Sequence, residues 1–156
     1  MYLEYFQMVD RIEEIDPVAQ TIRCTARVPA ESTIFEGHFP GYPLMPGTLL
    51  VETVAQSGGF LLMAMNGYRQ LPVLIQVVKA RIREPVLPQA VMDVDAAVQQ
   101  ISSGIAAVDG RIKVDGRRVA ECEIRYRTMP FPQEALRRQV IDRAQDIGAP
   151  PVQDEA

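Results

Sequence analysis

The sequence predicts an α+β domain in which one antiparallel sheet wraps around a single long, buried helix. The segment from residue 45 to about residue 66 is apolar on nearly all faces, and a helix with that distribution is buried. Four runs with the alternation of strands follow it, and turn residues separate the last three. Strands and helices do not alternate along the chain, so a parallel sheet is not expected.

The first third of the chain supplies a strand and a loop. Residues 5–11 predict a short turn that leads into a strand, and residues 21–28 predict that strand because they are rich in β-branched side chains. Residues 29–47 contain four prolines and three glycines and predict a loop. Pro46 suits the first turn of the helix, and Asn66-Gly67 supplies its end.

The remainder predicts strands followed by a second helix. The four strands are expected at residues 73–84, 90–101, 104–114 and 117–128. Asp115-Gly116 between two alternating runs indicates a hairpin. Residues 133–147 predict an amphipathic helix with Leu136, Val140, Ala144 and Ile147 on one stripe, and the tail to Ala156 is expected to be disordered. Residues 1–128 thus form one domain and residues 129–156 a C-terminal helical extension.

Composition limits the class of protein. A length of 156 residues, with 47% hydrophobic and 23% charged residues, fits one soluble globular domain. A net charge of −4 provides no global basic field for nucleic acid. Cys24 and Cys122 are far apart and predict two buried, reduced thiols. No signal peptide opens the chain, and its apolar stretches look too short and too interrupted to span a bilayer, so we expect a cytoplasmic protein without membrane insertion.

His38, the only histidine, lies in the loop that ends at the amino end of the predicted helix. A lone histidine is more often structural than catalytic, but this setting favours a functional interpretation. A helix N-terminus presents unpaired N–H groups and a partial positive charge, which suit a developing oxyanion. The amide of Gly47 is the best candidate to bind it, because glycine lets a ligand approach the backbone.

Glu52 lies among apolar residues of the same helix. Burial there favours the protonated carboxyl, which can act as an acid near neutral pH. The alternative is a glutamate that turns to solvent or meets an arginine. Gln56, one turn further on, either orients Glu52 or is satisfied elsewhere. A histidine base, a neutral acid and an oxyanion-binding amide suit proton abstraction next to a carbonyl and, with a β-hydroxyl, loss of water.

These residues resemble the site motif of a known family. His38-Phe39-Pro40-Gly41-x-Pro43-x-Met45-Pro46-Gly47, followed by Leu49, Glu52 and Ala55-Gln56, is similar to the motif of the (3R)-hydroxyacyl-[acyl-carrier-protein] dehydratases of type II fatty-acid synthesis, the FabZ type. The resemblance covers about residues 3–128. It implies a hotdog fold and dimers that can assemble into trimers of dimers. It also implies no metal and no bound redox cofactor, with the substrate carried on the phosphopantetheine of acyl carrier protein.

The resemblance also implies residue roles. His38 of one subunit and Glu52 of its neighbour would form each catalytic pair, with Gly47 as the oxyanion amide. Phe39, Pro46 and Gln56 would complete the substrate-binding set. Glutamate at position 52, where related dehydratase-isomerases have aspartate, favours dehydration without double-bond isomerisation.

Three sets of alternatives stay open at this point. Lys79, Arg81 and Arg83 alternate along one strand, and they form either a solvated face or a docking patch for an acidic carrier protein. The competing functions are a hotdog acyl thioesterase or CoA-ester hydratase, and a non-catalytic acyl-binding protein. His38 and Glu52 argue against the last, since binding alone does not require them. The C-terminal helix is expected to cover the sheet, to extend an oligomer contact or to serve a specialised carrier.

Overall fold

The computed structural model describes residues 1–152 and has the predicted α+β architecture. The strands are Arg11–Asp16 (β1), Thr21–Arg27 (β2), Gln70–Ile82 (β3), Val91–Ser102 (β4), Ile105–Val114 (β5) and Arg117–Pro130 (β6). The helices are Thr33–Gly37 (α1), Gly47–Met65 (α2) and Glu134–Asp146 (α3), and a short 3-10 helix spans Leu3–Tyr5. All neighbouring strands are antiparallel, in the order β1-β2-β4-β5-β6-β3. The sheet packs on α2 through β2, β3, β4, β5 and β6.

Helix α2 forms the centre of the core, as its all-round apolar pattern predicts. Twelve of its 19 residues are buried. Two glycines permit close contact with the sheet: Gly58 lies against Tyr126, and Gly110 of β5 lies against Val54. The Tyr126 hydroxyl donates a hydrogen bond to the carbonyl oxygen of Ala55 at 2.8 Å. The sheet and the helix are therefore joined by both packing and a buried hydrogen bond.

Two connections confirm the turn chemistry read from the sequence. Asp115 and Gly116 between β5 and β6 have φ values of 51° and 76°. Ser103 and Gly104 between β4 and β5 have φ values of 50° and 75°. Positive φ at both central residues is typical of type I′ hairpins.

Two elements differ from the sequence expectations. The loop predicted over residues 29–47 contains α1, which is stabilised because the Ser32 side chain accepts a hydrogen bond from Ile34 N–H at 3.2 Å and donates one to Glu4 at 2.7 Å. The sequence predicts no separate strand over Arg11–Asp16, because adjacent Glu13 and Glu14 obscure the alternation. β1 nevertheless forms there, and a bulge between Ile12 and Glu14 accommodates the two glutamates at this sheet edge.

The expectation that no apolar stretch is long enough to span a bilayer is wrong for α2, which meets the length and composition of such a span. Within the structure, however, 61% of that apolar stretch is buried, so the sheet already covers most of it. Cys24 and Cys122 are buried free thiols, as predicted.

The predicted C-terminal helix is confirmed as α3, and its apolar stripe contributes Ala144 and Ile147 to the core. Its hydrogen bonds reach the segment before β1, because Arg143 donates to the carbonyl oxygen of Val9 at 2.8 Å. The predicted disordered tail includes residues 153–156, which lie outside the described residues. The boundary at residue 128 stays a prediction.

Candidate active site

His38 follows α1 in a tightly hydrogen-bonded loop. Its N–H donates to the carbonyl oxygen of Ile34 at 3.1 Å, and its own carbonyl oxygen accepts from Leu44 N–H at 2.9 Å. Phe39 and Tyr42 exchange backbone hydrogen bonds of 3.1 and 2.9 Å inside this loop. The half-buried imidazole stacks on the exposed Phe39 ring, with 4.3 Å between the ring centroids. The backbone therefore fixes the position from which the imidazole projects.

The loop leads directly into the first turn of α2. Pro46 is the N-cap residue, and its carbonyl oxygen accepts hydrogen bonds from Leu49 and Leu50. The Gly47 amide belongs to the first turn, where N–H groups have no partner within the helix. A Cβ at Gly47 would lie 3.2 Å from Cγ1 of Ile82. Glycine therefore also makes room here for the end of β3, a packing reason that sequence reasoning missed.

Glu52 is half-buried on the second turn of α2 and is hydrogen-bonded to Gln56. Gln56 Nε2 donates to Glu52 Oε1 at 2.9 Å and to the carbonyl oxygen of Phe6 at 2.6 Å, while Gln56 Oε1 accepts from Met8 N–H at 3.0 Å. The structure thus contains the expected contact between Gln56 and Glu52. It adds two backbone partners from the N-terminal segment, for which the sequence carried no signal.

Tyr126 on β6 lies close to Glu52 and was also missed. Burial raises the pKa of its phenol, and the nearby carboxylate of Glu52 adds to the rise. The only sequence signal for Tyr126 was its inward position in the alternation of β6. Its hydroxyl is already used in the hydrogen bond to Ala55, which assigns it a structural part beneath the site.

Within the described part of one chain, the candidate catalytic side chains of His38 and Glu52 do not bond to each other. Among residues 1–152, no hydrogen bond or ion pair links His38 to Glu52. His38 lies in the loop before α2, and Glu52 lies on the helix itself. In the same part of the chain no three His, Cys, Asp or Glu side chains are grouped to hold a metal ion.

Three arginines lie around the carboxylate of Glu121. They are Arg81 on β3, Arg83 just after β3, and Arg118 on β6. Arg83 donates to Glu121 Oε1 at 3.0 Å, Arg118 donates to Glu121 Oε2 at 3.2 Å, and Arg81 lies 3.9 Å from Oε1. Arg83, Arg118 and Lys79 hold the pKa of Glu121 below its usual value, with the Arg83 hydrogen bond as the largest cause. Lys79 pairs in register with Glu123. The patch is therefore positive but partly compensated.

β3 is an edge strand of the sheet, with one side left without a partner strand among the described residues. Its 13 residues pair with β6 on one side only. Apolar side chains are 38–45% exposed along it, and these are Val73, Leu74, Ile75, Val77, Val78 and Ile82. A long apolar edge strand is a template for pairing with another strand.

The sheet wrapped on one long helix defines a hotdog-fold protein, as predicted. A hypothetical thioesterase protein from Streptococcus pneumoniae TIGR4, solved with coenzyme A, superposes with a TM-score of 0.63 at 13% identity, covering 79% of this chain and 88% of that one. That likeness concerns the fold alone.

The family follows from sequence comparison. A family model for the FabA-like domain matches residues 2–123. A 3-hydroxyacyl-[acyl-carrier-protein] dehydratase FabZ from Syntrophotalea carbinolica is 34% identical over 131 residues, covering 83% of this chain and 88% of the relative. A protein of the same name from Myxococcus xanthus is 38% identical over 121 residues, covering 76% and 78%. The chain belongs to the FabA-like family, among the FabZ-type dehydratases, which confirms the predicted family.

Proposed function

We propose that the chain removes water from (3R)-hydroxyacyl-[acyl-carrier-protein] to give the trans-2-enoyl thioester in type II fatty-acid synthesis. Membership of the FabZ-type dehydratases supports the hydro-lyase activity. The observation that carries the assignment of the acid is the half-buried Glu52 carboxyl, held by Gln56 on the helix that begins at Gly47.

In the proposed reaction, neutral His38 takes the proton from C2 of the substrate. The electron pair of that C–H bond forms the C2–C3 double bond, and the thioester oxygen carries the developing negative charge next to the Gly47 amide. The C3–O bond breaks as protonated Glu52 gives its proton to the departing hydroxyl, which leaves as water. Phe39 and Pro46 flank these groups from the loop, where they can contact the thioester. The reaction balances without a cofactor, in line with the expectation that none is bound.

The test is turnover of 3-hydroxyacyl and trans-2-enoyl carrier-protein esters by His38→Ala and Glu52→Gln. We expect each variant to lose roughly a hundredfold to ten-thousandfold in kcat, and the double variant to be little worse, because the groups act as a unit. Glu36→Gln, at an exposed glutamate two residues before His38, is the matched control and should keep its activity. A single variant with a near-normal rate would refute the roles. Release of free thiol would indicate a thioesterase, preference for CoA esters a hydratase, and binding without turnover a non-catalytic protein.

The exposed β3 edge supports a homodimer in which two sheets join. It also lies beside the candidate site, because a Cβ at Gly47 would stand 3.2 Å from Cγ1 of Ile82 at the end of β3. A catalytic pair shared between subunits accounts for the lack of contact between His38 and Glu52 in one chain. Sedimentation distinguishes a dimer from a trimer of dimers as two or six times 17.4 kDa.

Mixing the two inactive variants tests the shared site directly. A dimer that contains one His38→Ala chain and one Glu52→Gln chain has one site with both changes and one intact site. Random exchange should therefore restore about a quarter of the wild-type activity, given a twofold-symmetric dimer with two sites. If each site lies within one chain, mixing restores nothing.

The patch of Lys79, Arg81 and Arg83 is proposed to dock the acidic carrier. Its support is the excess of cations around Glu121 on an exposed face. Reversing all three charges should raise KM for carrier-bound substrate and leave activity on a short pantetheine thioester nearly unchanged. Arg138→Glu, at an exposed arginine of α3, is the control. Equal loss on both substrates would contradict docking.

A cytoplasmic location completes the proposal. The free, buried Cys24 and Cys122 support it, since small secreted domains more often rely on disulfides. Cell fractionation tests it, and recovery in the membrane or exported fraction would contradict it.

A further inference from the structure

The C-terminal helix α3 is fastened to the N-terminal segment by side chain and backbone. Arg143 Nη2 donates to the carbonyl oxygen of Val9 at 2.8 Å, and Ile12 N–H donates to the carbonyl oxygen of Ile147 at 2.6 Å. Gly148 lies so close that a Cβ there would stand 2.8 Å from the Ile12 carbonyl oxygen. The end of α3 therefore limits how far residues 9–12 can move.

Residues 6–9 form what we name the N-terminal strap. The strap ends at Val9, which α3 holds, and its earlier residues hold the side chain of Gln56. Met8 N–H donates to Gln56 Oε1, and Gln56 Nε2 donates to the carbonyl oxygen of Phe6. An amide oxygen only accepts and an amide nitrogen only donates, so these two backbone groups fix which way round the Gln56 amide lies. Met8 and Val9 are 0% and 1% exposed, so this half of the strap is packed into the core.

The orientation of the amide decides whether Gln56 presents a hydrogen-bond donor or an acceptor to Glu52. With Nε2 on the side of Phe6, its second N–H points to Glu52 Oε1 at 2.9 Å. The flipped amide would present its oxygen, which cannot donate to Glu52 Oε1, so this hydrogen bond would be lost. Since Oε1 of Glu52 is occupied in this way, Oε2 is the oxygen left to exchange a proton with a substrate.

We propose that α3 is a positioning element of the active site, and that Arg143 is a positioning residue which acts on Glu52 through the N-terminal strap and Gln56. The proposal rests on the proposed role of Glu52 as the acid. It gives a function to a helix that lies beyond residues 2–123, the part of the chain that the family model matches. It also explains why a charged side chain of α3 is half-buried against a main-chain carbonyl rather than left in solvent.

The experiment measures kcat and KM for a short 3-hydroxyacyl pantetheine thioester, well below the melting temperature of the least stable variant. Arg143→Met keeps the apolar stem of the side chain but removes its donor, and Arg143→Lys restores a donor. Arg138→Ala is the matched control, since that arginine of the same helix pairs only with Glu134 among the described residues. We expect Arg143→Met to lower kcat about tenfold with KM within about twofold, since small misplacements of a catalytic group are costly. Arg143→Lys should recover most of the loss, and Arg138→Ala should match the wild type.

A double-mutant cycle separates positioning from a general loss of stability. If Arg143 acts through Gln56, Arg143→Met should reduce kcat by less than about twofold once Gln56→Ala is present, because the pathway is already broken. Multiplicative losses, or an unchanged kcat in Arg143→Met, would overturn the proposal. Should Arg143→Met not fold, Arg143→Gln takes its place in the same cycle. Glu52→Gln, measured alone, distinguishes the two hypotheses. A near-normal rate in Glu52→Gln refutes the role of Glu52 as the acid. Loss of turnover in Glu52→Gln, together with multiplicative losses in the cycle, refutes only the positioning role of Arg143.

Discussion

Gly58 and Gly59 are neighbours in α2, yet replacing each by alanine should change the free energy of unfolding in opposite directions. Either change gains up to about 1 kcal/mol, because glycine loses more conformational entropy than alanine in a helix. A Cβ at Gly59 would meet only Cγ of Pro72, at an ordinary 4.0 Å. A Cβ at Gly58 would lie 2.8 Å from Tyr126 Oη and 3.1 Å from Val108 Cγ1, where carbon atoms normally stay about 3.5 Å apart.

Tyr126 cannot yield easily to that new methyl group. Its side chain is 2% exposed, and its hydroxyl donates to the carbonyl oxygen of Ala55. Overpacking costs about 1–3 kcal/mol, and a broken hydrogen bond adds about 0.5–1.5 kcal/mol. After the gain in helix propensity, Gly58→Ala should destabilise the protein by about 1–3 kcal/mol, whereas Gly59→Ala should stabilise it by about 0.5–1 kcal/mol.

Urea unfolding followed by far-UV circular dichroism measures both changes, at one fixed protein concentration because assembly contributes to stability. Tyr126→Phe in the Gly58→Ala background removes the conflicting oxygen, so the double variant should lose less than the sum of the single losses. A Gly58→Ala protein as stable as the wild type, or a clearly destabilised Gly59→Ala protein, would refute the close contact between α2 and β6.

Three further changes test other parts of the fold. A Cβ at Gly110 would overlap Val54, so Gly110→Ala should lower the free energy of unfolding by about 3 kcal/mol, and adding Val54→Ala should recover part of that loss; strict additivity in urea unfolding would contradict this. Burial raises the pKa of the Cys24 thiol from 9.0 to about 12, so its stabilising contribution is complete below pH 9 and is lost as the pH rises to 12. Cys24→Ala should therefore reduce the alkaline loss of stability by about 1.4 kcal/mol per pH unit above pH 9, and equal slopes for both proteins would refute the assignment. Ser32→Ala removes the cap of α1 and should cost about 1 kcal/mol in the same measurement, while no change would mean that the cap contributes nothing.

Local patterns predicted those elements whose structure depends on local interactions. Asp115-Gly116 specifies a type I′ turn because both residues tolerate positive φ, and the two strands beside it follow. The apolar residues of α2 predict its burial in the same way. α1 escaped prediction although its Ser32 cap is local, because the helix has only five residues and because Glu4, which accepts a hydrogen bond from Ser32, lies 28 residues earlier in the chain.

The candidate site was predictable only in part, for a similar reason. The motif predicts His38, Gly47 and Glu52 as site residues, since their chemistry and spacing are visible in the sequence. The spacing of Gln56 and Glu52 predicts their contact, but the groups that hold Gln56 are not visible in the sequence, because they are the backbone of Phe6 and Met8 at separations of 50 and 48 residues. Backbone groups are chemically the same at every position except proline, so no residue type signals such contacts.

In the proposed dimer, Ile82 beside Gly47 links the oxyanion site to assembly, in addition to the catalytic pair that the two subunits share. Ile82 ends β3 and is 42% exposed in the single chain, while its Cγ1 lies 3.2 Å from where a Cβ of Gly47 would stand. Pairing of β3 with a partner strand would restrain Ile82, which lies next to Gly47, the residue whose amide is assigned to the oxyanion. Without the partner strand, Ile82 at the end of β3 is free to move. Water in place of that strand cannot hold the first turn of α2 in a fixed position, and small misplacements of a catalytic group are costly. We therefore expect a monomeric variant to lose turnover while α2 and the sheet remain folded, and rising protein concentration to restore dimer and activity in parallel.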